Sequence, residues 1–346
     1  MSAVPERPRA LGEAVLTARI REQPEDFRVD EVLGFVPGGG GEHLFVCIEK
    51  RQANTGWIAK QLAKWAGIAP MGVGYAGLKD RHAVTRQWFS LHLPKRIAPA
   101  TPFADAEAVL IEQIWHNRKL PRGALKGNRF HLRLRGVEGG REAIEQRLAD
   151  IAARGVPNYF GAQRFGRDGR NLQAAEAMFA GRRVDREERS ILLSSARSAI
   201  FNAVLGARVQ RGDWDQLAEG EVCMLDGSHS VFGPEPITPE LISRAQGMDI
   251  HPTGPLWGTG ALRCAGELAA LETACAAQFE PLRAGLESID LKQERRALRL
   301  PVRELAWRFE DDVTLQIEFF LPAGAFATSV LEALGEITDA AGRGGE

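Results

Sequence analysis

The sequence lacks the features that mark secreted, membrane-spanning and disulfide-bonded proteins. Its opening segment, MSAVPERPRA, has no apolar signal core, and we expect no apolar run to be long enough to span a bilayer. Cys-x-x-Cys pairs are absent, which argues against a zinc ribbon and against a disulfide framework. The 346 residues include only four scattered cysteines: Cys47, Cys223, Cys264 and Cys275. We therefore expect a cytoplasmic protein of about two domains.

Cofactor motifs are absent too. The sequence has no Walker motif, no Gly-x-Ser-x-Gly elbow and no dinucleotide-binding fingerprint that opens a predicted helix. The glycine-rich segment VPGGGGE at 36–42 lacks the Lys-Ser/Thr ending of a phosphate-binding loop. We interpret it as a flexible hairpin connection between strands predicted at 26–35 and 43–50. The chemistry of this protein is therefore expected to come from its own side chains.

Charge is distributed unevenly along the chain, although the formal net charge is only -1. Between Lys79 and Arg135 there are 12 lysines and arginines against 4 acidic residues. From Ala265 to the C-terminus there are 8 against 15. The basic part is a candidate surface for nucleic acid. The alternative is two solvated faces, because runs of charge usually mean solvation.

Strand patterns lie towards both ends of the chain, and helix patterns dominate its middle. Helices are predicted at 54–67 and 141–155, and further strands at 86–93, 128–135, 302–310 and 313–321. From about 171 to 300 the signals are mainly helical. Strand-rich ends around a helix-rich middle predict an α+β domain with an insertion. We expect the tail AAGRGGE at 340–346 to be disordered.

Two basic segments are candidates for contact with RNA. In NRFHLRLR at 128–135, apolar residues alternate with Arg129, His131, Arg133 and Arg135. A sheet face lined with arginine can contact an RNA backbone, but a half-buried strand with a solvated face gives the same pattern. The loop at 156–171, VPNYFGAQRFGRDGRN, interleaves aromatic residues with arginines. Its rings suit stacking on unpaired bases, and burial of the same rings as loop anchors explains them equally well.

The segment GYAGLKDRH at 74–82 places one acid, Asp80, among cations. An aspartate between lysine and arginine is most often part of a surface ion pair. However, the glycines before Asp80 allow unusual backbone turns, and the apolar strand after it places Asp80 where a core element meets a loop. A positioned, ionised carboxylate can act as a nucleophile or a base. Asp80 and His82 could also begin a metal site, but no further cluster of ligands is evident.

Six motifs in the sequence resemble those of the TruD family of tRNA pseudouridine synthases, in family order. They are PEDFRVDE, GYAGLKDRHAVTRQW, GALKGNRF, GVPNYFGAQRFG, SSARSAIFN and LPAGAFATSV, and they extend from residue 24 to residue 330. The resemblance implies a pseudouridine-synthase catalytic domain on a mixed, mostly antiparallel sheet, at 1–154 and 303–346. It also implies an inserted, helix-rich domain peculiar to TruD at 155–302, with an RNA-binding cleft between the two domains.

The resemblance implies isomerisation of uridine to pseudouridine in tRNA, at position 13 in bacterial relatives, without a metal or an organic cofactor. Asp80 resembles the family's nucleophile, whose attack on the base or on the sugar stays open. Phe27, Asn128 and Phe326 match positions that contact the target uridine, and Phe130 matches the ring that stacks on the base. Packing in the core is the alternative for each phenylalanine.

One position departs from the family pattern. Arg21 stands where relatives carry a lysine that is expected to pair with the nucleophile. Arginine can make the same pair, but it is larger and its geometry differs. Lys79 is the other cation adjacent to Asp80, and it could instead face RNA phosphate. Two other functions stay open as alternative hypotheses: a non-catalytic RNA-binding protein such as an RNA chaperone, and a metal-dependent nuclease that uses Asp80 and His82.

Overall fold

The computed structural model describes residues 3–343, which form sixteen strands and eight α-helices. The strands are β1 (Thr17–Ile20), β2 (Phe27–Leu33), β3 (His43–Arg51), β4 (Val73–Tyr75), β5 (Val84–His92), β6 (Ala108–His116), β7 (Leu125–Glu138), β8 (Val156–Pro157), β9 (Cys223–Leu225), β10 (Val231–Phe232), β11 (Ile250–Leu256), β12 (Glu294–Ala297), β13 (Arg299–Leu300), β14 (Arg303–Asp311), β15 (Thr314–Pro322) and β16 (Glu336–Asp339). The α-helices are α1 (Thr55–Trp65), α2 (Arg141–Arg154), α3 (Arg170–Phe179), α4 (Arg186–Arg211), α5 (Pro239–Gln246), α6 (Gly266–Ala277), α7 (Glu280–Glu287) and α8 (Ala327–Leu334).

The chain divides into two compact units. The sheet unit comprises Ala14–Leu148, Val302–Ala327 and Leu334–Glu346. The helical unit comprises Met1–Glu13, Ala149–Pro301 and Thr328–Ala333. Residues 340–343, part of the tail predicted to be disordered, form one 3₁₀ turn, and the remainder of that tail lies outside the described residues.

The sheet unit is built on a ten-stranded sheet whose main order is β14-β15-β7-β2-β5-β3-β6. Outside this main order, strand β1 pairs with β7 and with β16, and β4 pairs with β5. Only the β2–β5 and β1–β16 pairs are parallel. The predicted mixed, mostly antiparallel sheet is therefore confirmed. The predicted hairpin between β2 and β3 is wrong, because β5 lies between these two strands and pairs with both.

Helix α1 covers one face of the sheet. Its residues Ile58 and Leu62 lie on one side of the helix, four positions apart, and both are fully buried. They pack against alternate residues of β3, including Leu44, Val46 and Ile48. The opposite side of β3 carries Phe45, which belongs to a second apolar cluster. The two-residue period of β3 thus places apolar side chains on both faces of the sheet, as expected for a central strand.

The arginines of β7 are occupied by carboxylates. Arg129 lies 2.5 Å from Glu304, and Arg133 lies 2.9 Å from Glu310. Both glutamates are on β14, which β15 separates from β7. Arg135 binds Asp26, whose side chain is fully buried, with hydrogen bonds of 2.8–3.0 Å to both carboxylate oxygens. The alternating pattern at 128–135 therefore reflects a half-buried strand with a paired polar face. Its arginines are not a free surface for RNA.

The helical unit contains more strand than the sequence predicted. Besides its helices it has a four-stranded sheet with the order β10-β9-β11-β12, whose strand β11 packs against α4 and α5. The prediction missed this sheet because β9 and β10 are very short and because β11, IHPTGPL, contains two prolines and a glycine. These residues are typical of turns in a sequence read without its tertiary context.

Helix α4 is long and apolar enough to cross a membrane by length and composition, contrary to the expectation from the sequence. However, 61% of its most apolar window is buried inside the protein. Its residues Ala196, Ala199 and Ile200 belong to an apolar core cluster of the helical unit. The central helix of a water-soluble domain has these same properties, so the composition of α4 follows from its place in the core.

The loop at 156–171 is anchored by its aromatic residues. Phe165 is 1% exposed and packs in the core that includes α3 and α4, while Tyr159 is 8% exposed. Phe160 is half-buried, and its ring lies under the guanidinium groups of Arg164 and Arg296. The hypothesis that these rings stack on unpaired bases is wrong for Tyr159 and Phe165, because both rings are buried.

We expect the Asp26–Arg135 pair to be a major contributor to the stability of the sheet unit. Arg135→Met leaves the fully buried Asp26 carboxylate without its cation, so it should lower the free energy of unfolding by about 3–5 kcal/mol. The matched control is Arg129→Met on the same strand, whose pair is exposed and should contribute only about 0.2–1 kcal/mol. Urea unfolding of both variants measures the difference, and equal losses would contradict the assigned importance of burial.

Candidate active site

Asp80 lies in the loop between β4 and β5, at the edge where the sheet meets solvent. Its side chain is 39% exposed. One carboxylate oxygen, Oδ1, accepts a hydrogen bond of 2.9 Å from the backbone N–H of His82. The glycines before it do not adopt left-handed conformations, contrary to the prediction. Gly74 is needed for a different reason: a Cβ atom there would lie 2.6 Å from Ser90 Oγ.

Arg21 brings its guanidinium group to the second oxygen of Asp80. The distance from Nη1 to Asp80 Oδ2 is 2.8 Å, and the same nitrogen lies 3.3 Å from Asp339 Oδ2. Arg21 follows β1 and has a φ of 61°, a left-handed conformation that is uncommon outside glycine. Its Cζ atom lies 4.2 Å from the ring centroid of Phe27. The arginine at this position therefore reaches the Asp80 carboxylate.

Lys79 turns away from Asp80 and binds a buried acid. Its Nζ atom lies 2.5 Å from Glu31 Oε1, and the side chains are 10% and 0% exposed. Glu31 also accepts hydrogen bonds from the Trp88 backbone N–H at 2.9 Å and from Gln87 Nε2 at 3.3 Å. Gln87 in turn accepts from Thr55 Oγ1, which itself accepts from the Lys79 backbone N–H. Lys79 is therefore part of a buried network beneath the loop and does not face RNA phosphate.

Of the three phenylalanines predicted at the site, two are buried and one is exposed. Phe27 and Phe130 are each 6% exposed, and their rings meet edge to face with centroids 6.1 Å apart. Phe130 also stacks on Phe319 of β15 at 5.3 Å. Phe326, between β15 and α8, is 45% exposed. One face of Phe130 is thus covered by the protein, whereas Phe326 has free apolar surface.

Asn128 has an unsatisfied acceptor. Its Oδ1 atom is buried and has no hydrogen-bond partner within the described part of the chain. Asn128 pairs with Leu321 of β15 and with Glu31 of β2 in the sheet. Buried polar atoms are normally hydrogen-bonded, so this acceptor is free to accept a further hydrogen bond.

Two charged residues at this site were missed by the sequence analysis. Burial raises the pKa of Glu31 above its ordinary value, and the adjacent Lys79 opposes that shift. Lys50, at the end of β3, is fully buried, and burial lowers its pKa to about 8. For Lys50, the only signal in the sequence was its place at the end of an apolar strand pattern, where a charged residue is usually exposed to solvent.

Within residues 3–343, Asp80 and His82 belong to no group of three or more close metal-binding side chains. Among residues 3–343, the group of at least three metal-binding side chains with mutually close donor atoms is Glu42, His43 and His92. Their donor atoms lie within 4.8 Å of one another, on the β3 and β5 strands and the turn before β3. This group contains neither member of the Asp80–His82 pair.

Comparison with known proteins places these features in a family. The chain resembles in structure a crystal structure of a protein assigned as tRNA pseudouridine synthase D from Methanosarcina mazei, with a TM-score of 0.74, 19% identity and 96% of each chain covered. That likeness shows the fold, an α+β fold of the predicted class. In sequence, the family described as tRNA pseudouridine synthase D (TruD) matches residues 10–178 and 168–334.

Curated relatives named tRNA pseudouridine synthase D match over nearly the whole chain. The protein from Xanthomonas euvesicatoria is 58% identical, with 96% of this chain and 95% of the relative covered. The protein from Methylococcus capsulatus is 48% identical, with 95% and 94% covered. The chain therefore belongs to the TruD family, and the resemblance found in the six motifs is confirmed.

The different burial of Phe130 and Phe326 predicts unequal effects on stability. Phe130→Ala should lower the free energy of unfolding by about 3–5 kcal/mol, because it leaves a cavity beside Phe27 and Phe319. Phe326→Ala, the matched control, should change it by less than about 0.5 kcal/mol, because its ring is half exposed. Thermal and urea unfolding measure both, and a Phe130 variant as stable as wild type would contradict the burial of this ring.

Proposed function

We propose that this protein isomerises uridine to pseudouridine in tRNA, with Asp80 as the nucleophile. The observation that carries the proposal is the Asp80 carboxylate, held in a solvent-accessible loop by Arg21 at 2.8 Å, in a chain of the TruD family. The target at position 13 of tRNA follows from the resemblance to bacterial relatives. A cytoplasmic location follows from the substrate.

The proposed reaction conserves every atom of the substrate. The N1–C1′ glycosidic bond breaks, the base turns, and a C5–C1′ bond forms between the same base and the same sugar. C5 then loses its proton and N1 takes one up, so the composition is unchanged. One carboxylate oxygen of Asp80 forms the covalent intermediate and leaves when the new bond closes. Attack on the base and attack on the sugar both fit this arrangement. Arg21 and the His82 N–H orient the carboxylate before the attack.

The neighbouring side chains supply a site for a base that has left its stack. The unpaired Asn128 Oδ1 can accept a hydrogen bond from an N–H on the edge of uracil. Phe326 offers exposed ring surface for contact with the extruded nucleotide, and Phe27 and Phe130 form the apolar floor. We assign Lys79 an indirect role, because its ammonium group binds Glu31 and supports the loop from beneath.

We propose that the sheet unit is the catalytic domain and that the helical unit is the TruD-specific insertion. The support is that all seven site residues predicted from the sequence lie in the sheet unit: Arg21, Phe27, Lys79, Asp80, Asn128, Phe130 and Phe326. The helical unit contains all of residues 149–301 and therefore nearly all of 155–302, where the sequence predicts the insertion.

Asp80→Asn should abolish isomerisation and leave tRNA binding unchanged. The amide has nearly the same shape but cannot act as a carboxylate nucleophile. Single-turnover assays on a tRNA transcript measure the rate, and filter binding measures the affinity. The matched control is Asp105→Asn, because Asp105 makes the same kind of hydrogen bond to a backbone N–H two residues later. A rate for Asp80→Asn within tenfold of wild type, without deamidation, would refute the nucleophile.

Binding of tRNA should weaken steeply with salt through exposed cations at 115–135. Arg118, Arg122 and Lys126 are exposed and have no carboxylate partner within the described structure. Each phosphate contact adds about 0.7–0.9 to the slope of log affinity against log salt. Changing all three residues to Gln should therefore reduce the slope by about 2–3.

The matched control for the salt experiment is Arg133→Gln. This guanidinium group is already paired with Glu310 at 2.9 Å, so its removal should leave the slope unchanged. If Arg133→Gln lowered the slope as much per residue as the triple variant, the paired face of β7 would have to contact RNA. That result would contradict the assignment of the exposed cations as the RNA surface.

A further inference from the structure

Lys50 is a fully buried cation whose partners are backbone oxygens. It lies near the C-terminal end of β3, and its Nζ atom donates hydrogen bonds to the carbonyl oxygens of Ala53 at 2.8 Å and Asp80 at 2.9 Å. No carboxylate in the described ranges lies within ion-pair distance of this nitrogen. The other buried cation nearby, Lys79, differs in this respect because it binds Glu31 directly.

An ammonium group in such a place is costly. Burial of a charge without a close counterion is unfavourable, so the group tends to lose its proton. Burial is accordingly the main cause of the lowered pKa of Lys50, and the nearby Lys79 lowers it further. The carboxylates of Asp80 and Glu31 act in the opposite direction. An apolar side chain would fill the same position at lower cost, so the hydrogen bonds of Lys50 call for a function.

We propose that Lys50 is a positioning residue for Asp80, which fixes the peptide carbonyl of the nucleophile and thereby aims its carboxylate. The proposal rests on the proposed function. Asp80 is then held at three points that come from three parts of the chain. Lys50 holds its backbone oxygen, the His82 N–H holds Oδ1, and Arg21 holds Oδ2. Loss of the Lys50 hydrogen bond frees the backbone from which the Asp80 side chain extends.

The bond to Ala53 connects this arrangement to the rest of the sheet unit. Ala53 is buried in the turn between β3 and α1, so Lys50 ties the Asp80 loop to the start of α1. A displacement of about 1 Å at a reacting group can reduce a rate by about 100-fold. The contact is therefore placed where a small change in geometry has a large effect on chemistry and a small effect on docking of tRNA.

Lys50→Met tests the proposal, because Met retains most of the apolar stem and removes the donor. We expect the single-turnover rate on a tRNA transcript to fall by about 10–100-fold, with the Kd for tRNA within twofold of wild type. Leu91→Ala is the matched control, because it also removes a fully buried side chain of the same sheet, on β5, without contact to Asp80. It should lower the melting temperature and keep the wild-type rate.

The pH dependence separates positioning from general stabilisation. As the pH rises through about 8, Lys50 loses its proton and its hydrogen bonds lose their charge assistance. The wild-type rate should therefore fall between pH 7 and pH 9.5, and the rate of Lys50→Met should not show this fall. The free energy of unfolding should instead rise with pH. Because the folded-state pKa lies below the ordinary 10.5, the unfolded state binds more protons between pH 8 and 10.5.

The stability of wild type relative to Lys50→Met should consequently rise over this range while its rate falls. A purely structural lysine would change the stability with pH and leave the rate of the folded protein unchanged. The proposal is overturned if Lys50→Met reacts within twofold of wild type, if its rate and affinity fall in parallel, or if both proteins show the same alkaline loss of rate. If wild type itself forms no pseudouridine, the proposed function fails instead, so the two failures are distinguishable.

Discussion

The contact between the Asp80 carboxylate and the Arg21 guanidinium group is the interaction on which the candidate site depends. Asp80 comes from the loop between two strands, and Arg21 comes from the end of a third strand far away in sequence. The sheet must therefore be complete before the pair can form. Arg21 also contacts the ring of Phe27 and the carboxylate of Asp339, so the same side chain joins the acid, the aromatic floor and the last strand.

Beneath that pair, the sheet unit buries charge in two different ways. Asp26 and Glu31 are buried carboxylates with a cation in contact: Asp26 binds Arg135 of β7, and Glu31 of β2 binds Lys79 of the loop before β5. Lys50 has only backbone carbonyls within hydrogen-bond distance. These buried pairs are costly to break, because removal of one partner leaves an uncompensated ion. The unpaired ammonium group is better explained by the loop that it holds than by the stability of the fold.

The sequence predicts the strong periodic elements and the family, and it misses what depends on tertiary contacts. Alternation at 128–135 and the apolar face of 54–67 correspond to β7 and α1, because burial on one face imposes the period. The same period cannot show that the arginines of β7 are neutralised by Glu304 and Glu310, which lie about 175 residues later in the chain. Likewise, Lys50 resembles any charged residue at the end of a strand until the loop folds over it. Strand β11 at 250–256 was missed for a related reason, since its prolines and glycine, which are typical of turns, outweigh a weak strand signal.

The most direct test of the central claim is a nucleotide-resolution map of pseudouridine in unmodified tRNA transcripts after incubation with the protein and a metal chelator. If a positioned carboxylate performs the chemistry, pseudouridine should appear at position 13 at the same rate with and without chelator. Transcripts that stay unmodified under both conditions would contradict the account. So would transcripts that are cut by the protein only when a divalent metal is supplied.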